Sequence, residues 1–280
     1  MAVRYAWHLL EGDALHATAH PTVIAAVHGL EASWRAWEPL ARHLPSGTRL
    51  YALDLPWRAG NDYRWWHSAA DAPQHLERAL QILPEHPDTL VAHSFGANAA
   101  LAYLTRSLPQ ASRLRAAMLA APCFRPADCP ADRAVFARHR ENLRLLMAEG
   151  VRSRLGPRAR DMEEAVLTSM ERAAVARLNP QALQVLFDSY RASGTLDLSA
   201  VRIPVLVAVG AADPAAEVRQ GRALAGGLPT ATLHVHPRAG HFLTHQAPGP
   251  FAADITALLT AHATNQTVPP TAQGPRPQAQ

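Results

Sequence analysis

Lysine is absent from this chain of 280 residues, so all 27 of its basic positions are arginine. They oppose 23 acids and leave a formal charge of only +4. The arginines are scattered and interleaved with acids, as in "ERAAVARLNP" at 171–180, and no basic stripe with aromatic spacing appears. That pattern excludes nucleic acid as the expected partner. With the abundant Ala and Pro it reflects a GC-rich coding sequence. Cysteine is nearly absent: Cys123 and Cys129 cannot build a disulfide framework or a zinc cluster and read as ordinary thiols. Apolar residues make up 48% of the chain, yet no apolar run reaches the roughly 18 residues that span a bilayer. The opening "MAVRYAWHLLEGDALH" has one Arg and an apolar stretch broken by Glu11 and Asp13, which is no signal-peptide pattern, so the expected location is the cytoplasm. The length suffices for one large domain with a full core.

What is present is alternation. The runs 22–27, 48–53, 89–93, 115–121, 203–210 and 231–236 read as strands whose near-continuous apolarity fits a parallel sheet covered on both faces. Helical patterns at 33–44, 72–83, 96–108, 216–228 and 248–263 separate them, which predicts an α/β fold with a mostly parallel central sheet flanked by helices. Segments 4–10 and 14–19 suggest an antiparallel pair at the start. Between 124 and 200 the rhythm breaks into three helical patterns with no strand, bounded by Gly156-Pro157 and Asn179-Pro180. A helical insertion between two strands of a sheet reads as a cap. The expected division is a core of 1–123 with 201–263, a cap of 124–200, and a polar, Pro-rich, disordered tail of 264–280.

The stretch "DTLVAHSFGANAALAYL" at 88–104 sets Ser94 between a short apolar strand and a helix of small residues. Ala92 and Gly96, two before and two after, leave room for a very sharp turn that points the serine hydroxyl out of the fold. A serine hydroxyl is a poor nucleophile unless a histidine takes its proton. Fifteen histidines are available, so position must select one. In a parallel sheet, functional groups collect beyond the strands' carboxyl ends. His241 in "PRAGHFLTHQ" follows the last strand, and Asp213 in "VGAADP" follows the strand before it. Asp213 would hold the imidazole in the required tautomer. Attack on an acyl carbon also needs preorganised N–H donors. Leu30, after the turn His28-Gly29, and Phe95, at the helix start, can supply them.

With "HGL" at 28–30, "LDLPWRAGND" at 53–62, "AHSFGA" at 92–97, "VGAADP" at 209–214 and "AGHF" at 239–242, the chain resembles the α/β-hydrolase superfamily over about 22–262. The resemblance implies a nucleophile Ser94, an acid Asp213, a base His241, a cap over the active site, and no metal or organic cofactor. Two departures stand out. Ala92 replaces the usual first Gly of the elbow. Trp57 replaces a Gly in the loop after the second long strand, which puts bulk near the site.

Each residue also has a plainer reading. Ser94 and Asp213 could be helix N-caps and His241 a loop histidine. His93 is expected to pack and His28 to shape its loop. His245 is a weaker rival base. Trp34 and Trp37, three apart on a helix, fit a core. Trp57, Tyr63, Trp65 and Trp66 fall on a predicted loop, where they either pack or wall an apolar pocket. The candidate pocket is His28, Trp34, Trp57, Trp65, Trp66 and Phe242. The arginines of 124–200 read first as a solvated face and second as a contact for an acidic or phosphopantetheine-bearing partner. The expected activity is a serine hydrolase that cleaves an ester, lactone or thioester of a small apolar metabolite, free or on a carrier protein. The alternatives are an acyltransferase, cyclase or lyase using the same triad, and a non-catalytic small-molecule binder.

Overall fold

The structure, a computed structural model, describes residues 3–11, 22–67, 69–106 and 113–265. Its frame is a seven-stranded sheet: β1 (Ala6–Glu11), β2 (Thr22–Val27), β3 (Thr48–Asp54), β4 (Thr89–His93), β5 (Ala116–Ala120), β6 (Val205–Gly210) and β7 (Ala231–His236). The spatial order is β1-β3-β2-β4-β5-β6-β7. β1 runs antiparallel to β3, with Ala6 opposite Asp54, and every other pairing is parallel. The strand partner of β1 is therefore β3, whereas the sequence suggested segment 14–19, which lies outside the described residues.

The unbroken apolar runs follow from a sheet buried on both faces. Side chains alternate across a strand. Ile24, Ala26, Leu50, Ala52, Val91, Met118, Leu206 and Ala208 face one core, shared with Trp37, Leu40, Phe251 and Ile255. That face is covered by α1 (Glu38–Ala41) and by α8 (Leu243–Gln246) and α9 (Pro248–Asn265). Ala25, Val27, Leu90, Ala92, Leu119, Val207 and Val209 face the other core, beneath α2 (Ala72–Gln81), α3 (Phe95–Leu104) and α7 (Val218–Gly227). Each fully buried Val, Leu or Ile contributes about 1.5–3 kcal/mol relative to exposure. Among the described residues, edge strand β7 has no strand on its outer side, and it shows alternating burial instead.

Between β5 and β6 come α4 (Arg133–Leu155), α5 (Glu164–Ala176) and α6 (Pro180–Ser193). Their ends carry local signals: the Asp132 carboxylate accepts the Val135 N–H, and Gly156 ends α4 at φ +56°. Asn179 caps α6 and Pro180 occupies its first turn. α6 lays Ala182, Val185 and Leu186 into the same core as α3. Arg152 of α4 pairs with Glu164 and Glu171 of α5 at an exposed position. α9 ends at Asn265, and most of the predicted tail lies outside the described residues. Among the described residues, no helix is long and apolar enough to cross a membrane. Cys123 and Cys129 are both buried free thiols.

Candidate active site

The turn from β4 into α3 is as sharp as its small residues allow. Ser94 takes φ +55° and ψ −123°, a region that L-residues rarely occupy and that costs on the order of 1–3 kcal/mol. Two hydrogen bonds hold it there: Ser94 N–H to the Ala120 carbonyl at 2.8 Å, and Asn98 N–H to the Ser94 carbonyl at 3.1 Å. Ala92 is fully buried, so its methyl group is accommodated where a glycine is usual. Gly96 is obligatory for a different reason. A Cβ there would lie 2.4 Å from the His28 carbonyl oxygen and 2.8 Å from that of Val27. The helix start and the end of β2 touch backbone to backbone.

The structure brings Ser94, His241 and Asp213 together, each from the carboxyl end of a different strand. Ser94 Oγ lies 2.9 Å from His241 Nε2, and His241 Nδ1 lies 2.7 Å from Asp213 Oδ2. The Nδ1–H therefore donates to the carboxylate, and Nε2 accepts from the serine hydroxyl. The other carboxylate oxygen accepts the N–H groups of Ala215 and Ala216 at 2.8 and 3.0 Å. Burial pushes the Asp213 carboxyl up, but the His241 charge and these hydrogen bonds outweigh it and hold the group below its ordinary value. All three side chains are nearly sealed, with exposures of 7% for Ser94, 3% for His241 and 5% for Asp213. Cys123, buried beside Ser94, has its thiol pushed up to about 12, chiefly by burial and then by the Asp213 charge, and stays protonated.

Phe95 directly follows the serine, and Gly29, next to Leu30, lies against it: a Cβ there would sit 3.1 Å from Ser94 Cβ. Among the described residues, neither the Leu30 nor the Phe95 N–H is hydrogen-bonded. The loop that carries Leu30 is fastened to the loop after β3 by five bonds. His28 Nε2 accepts the Leu55 N–H at 3.1 Å, and Trp57 Nε1–H donates to the His28 carbonyl at 2.9 Å. Glu31 N–H donates to the Trp57 carbonyl, and Ala59 N–H to the Ala32 carbonyl. The Tyr63 hydroxyl donates to the Glu31 carboxylate at 2.5 Å. Glu31 itself sits at φ +53°. His28 is neutral, its pKa lowered to about 4 by burial.

Three predicted pocket residues, Trp34, Trp57 and Trp65, are engaged in ring packing. Trp57 is fully buried, edge-on to Phe95 at 5.2 Å and to His28 at 6.1 Å, so it packs against both segments that carry the candidate amide donors. Trp34 stacks on His8 at 4.0 Å, near the β1 edge of the sheet, with Arg35 over its ring. Trp65 is likewise buried, packed against Trp57, Phe95 and His75. Trp66 is partly buried against Trp65. Trp65 and Trp66 lie on the short helical turn 63–67, and Trp65 meets His75 of α2 edge-on at 5.5 Å. Of the predicted pocket residues, Phe242 packs on the His241 ring, edge-on at 5.4 Å, and the His93 ring lies against the same imidazole at 4.9 Å. His93 donates from Nε2 to the His241 carbonyl at 2.8 Å, and burial lowers its pKa to about 3, so it is a neutral clamp. His245 lies in α8 with its ring nitrogen beside Thr244 Oγ1.

No sequence pattern marked how α4 meets this site. Asn142 donates to the Pro214 carbonyl at 2.7 Å, immediately after Asp213. Gly150 passes so close to Phe242 that an added Cβ would sit 3.1 Å from its ring. Gln246 accepts the Gly240 N–H at 2.8 Å and donates to Glu149 at 2.6 Å, which ties the histidine loop to α4. A separate cleft of about 500 Å³, lined by Arg125, Asp188, Arg191 and Thr195, contains no member of the triad.

A sequence profile of the alpha/beta hydrolase family matches residues 24–254. Over 67 residues the chain is 40% identical to a Caulobacter sp. (strain K31) protein described as "Putative carbamate hydrolase RutD", a match that spans 24% of this chain and 25% of that protein's length. Among solved structures, a bacterial membrane phospholipase A superposes with a TM-score of 0.68 at 18% identity, covering 92% of this chain and 87% of the other. A thermophilic esterase from Thermogutta terrifontis gives 0.61 at 19%, covering 92% and 93%. The two superpositions show a common fold.

Proposed function

The chain belongs to the alpha/beta hydrolase family, and from that premise we propose that it is a serine hydrolase acting on an ester, lactone or thioester of a small apolar molecule. The observation that carries the reading is the Ser94–His241–Asp213 chain of hydrogen bonds, at 2.9 and 2.7 Å, with the serine strained at the apex of its turn. Ser94 Oγ attacks the acyl carbon while its proton passes to His241 Nε2. The carbonyl oxygen becomes an oxyanion held by the Leu30 and Phe95 N–H groups. Asp213 stabilises the imidazolium. His241 returns the proton to the departing alkoxide or thiolate, which leaves Ser94 acylated. His241 then takes a proton from water, the hydroxide attacks the acyl carbon, and the proton returns to Ser94 as the acid leaves. In this reading residues 124–200 act as a cap, with Asn142 and Gly150 of α4 over the triad, and Phe242 and Trp66 border the substrate. The substrate arrives free or on a carrier protein. The local likeness to the RutD relative supports including carbamates among the acyl groups.

The near-complete burial of Ser94 and His241 favours one second reading, passage of the acyl group to an alcohol or amine in place of water. Intact mass after treatment with a fluorophosphonate probe tests the shared nucleophile. One adduct is expected, mapped to Ser94 and absent in Ser94→Ala. If folded protein takes up neither the fluorophosphonate nor a smaller sulfonyl fluoride, the acyl-enzyme mechanism is wrong. Once the nucleophile is established, product analysis in water with and without an added alcohol separates hydrolysis from transfer.

A further inference from the structure

A cluster of histidines lies apart from the triad, on the outer strand of the sheet. Along β7, Leu233 and Val235 turn toward the core that includes Leu224 of α7. His234 and His236 turn the other way, toward α9, where Asp254 reaches between them. His234 Nδ1 lies 2.5 Å from Asp254 Oδ1, and His236 Nε2 lies 2.8 Å from Asp254 Oδ2. One donor atom from each of the three residues fits within a span of 4.8 Å. Hydrogen bonding accounts for only half of this contact. His236 Nε2 and Asp254 Oδ2 are both buried and, although 2.8 Å apart, are not aligned as donor and acceptor and have no other partner among the described residues. His236 is 4% exposed, so water does not satisfy that nitrogen.

We propose that His234, His236 and Asp254 form a binding site for a divalent transition-metal ion, zinc above all. Two imidazole nitrogens and one carboxylate oxygen are a zinc donor set, whereas calcium and magnesium take oxygen ligands. In a tetrahedral site with bonds of about 2.0–2.2 Å, neighbouring ligand atoms stand roughly 3.3–3.5 Å apart, so the two close pairs need to open by only about 1 Å or less. His234 is the exposed ligand, with its side chain 47% accessible, and it opens a path for the ion and for a water as fourth ligand. A metal here cross-links the unpaired side of the sheet to α9. It also fixes His236, whose carbonyl accepts the N–H groups of Ala211 and Ala239 in the loops that carry Asp213 and His241. The role is structural: the ion binds the native chain and adds its binding free energy to stability.

The test is a titration of the untagged, metal-stripped full chain with zinc ion alone, against a chromophoric chelator, with Tm followed in parallel. One equivalent is expected with a Kd of about 1 µM or below, together with a Tm rise that saturates at that stoichiometry. His234→Ala, at an exposed position, and the isosteric Asp254→Asn each weaken binding at least tenfold and abolish the Tm rise. His241→Ala leaves both unchanged. Cobalt(II) bound in place of zinc gives a visible absorption band that is missing in His234→Ala. The proposal is overturned if the wild-type chain binds no stoichiometric zinc, if binding survives in both His234→Ala and Asp254→Asn, or if it disappears in His241→Ala. None of these readings depends on the hydrolytic activity.

Discussion

Trp57 was expected as bulk beside the substrate, yet its indole N–H holds the His28 carbonyl and its ring holds Phe95. In the proposed mechanism it therefore acts on the oxyanion through the two segments that carry Leu30 and Phe95. Trp57→Phe keeps most of the packing and removes one buried hydrogen bond, at a stability cost of about 1 kcal/mol. The expected kinetic result is a kcat lowered roughly tenfold with KM within about twofold, because only an interaction made in the transition state is loosened. Steady-state kinetics on any accepted ester checks it, and a rise in KM alone would place Trp57 in the substrate pocket after all. The same logic separates the histidines. His241 has a carboxylate behind it and a hydroxyl in front. His28 spends both ring nitrogens, and His93 its Nε2, on backbone groups, and both are held neutral. Residue type could not distinguish them, but position after the last strand did.

The decisive element is the β4–α3 turn, where a strand and a helix are forced closer than side chains permit. Gly96→Ala places a methyl carbon 2.4 Å from the His28 carbonyl oxygen, and the obstruction is backbone that no rotamer can clear. The backbone at His28 must shift, and Leu30 moves with it. The expected outcome is a loss of about 1–3 kcal/mol in denaturant unfolding and a kcat lowered at least tenfold. Unchanged turnover would mean that the Leu30 amide is not a donor to the oxyanion. The elbow and its small residues were legible in the sequence because the turn allows little else there. The approach of α4 was not. Asn142 and Gly150 look like ordinary helix residues, and only packing shows that one meets Pro214 and the other Phe242. The aromatic loop left packing and a pocket wall equally open in the sequence, and the fold buries Trp57 and Trp65 against each other.

Over the molecule as a whole, burial of histidine sets the response to acid. His28, His93 and His139 are lowered to about 4, 3 and 4, each chiefly by burial, and His75 and His245 are lowered as well. The unfolded chain protonates these rings below about pH 6.5, while the fold protonates them later, and His28, His93 and His139 only near 3–4. Between those limits the unfolded state binds more protons, so stability falls as pH drops through 6.5 toward 3–4. Asp213 acts in the same sense at the acid end, since the stability it contributes is lost as pH falls through its lowered folded value. At pH 5 each fully neutral buried ring costs roughly 2 kcal/mol relative to pH above 6.5. Tm is expected to be flat from pH 8 to 7 and to drop steeply from 6 to 4, with a shallower slope in His93→Gln. Differential scanning fluorimetry over that range checks it, and equal slopes for both proteins would count against a neutral His93.

Read by itself, the sequence determined the α/β class, the six parallel strands within a residue or two, and the placing of Ser94, Asp213 and His241 just beyond the carboxyl ends of three strands. Those features are local: a strand buried on both faces must be apolar throughout, and a sharp turn must be built of small residues. Tertiary structure alone decided the pairing of β1 with β3, the packing of Trp57 on Phe95 and of Trp34 on His8, the contact of α4 with both triad loops, and the meeting of His234 and His236 with Asp254. Each of these joins residues far apart in the chain, and the choice among many possible partners is made by packing, which no single segment encodes.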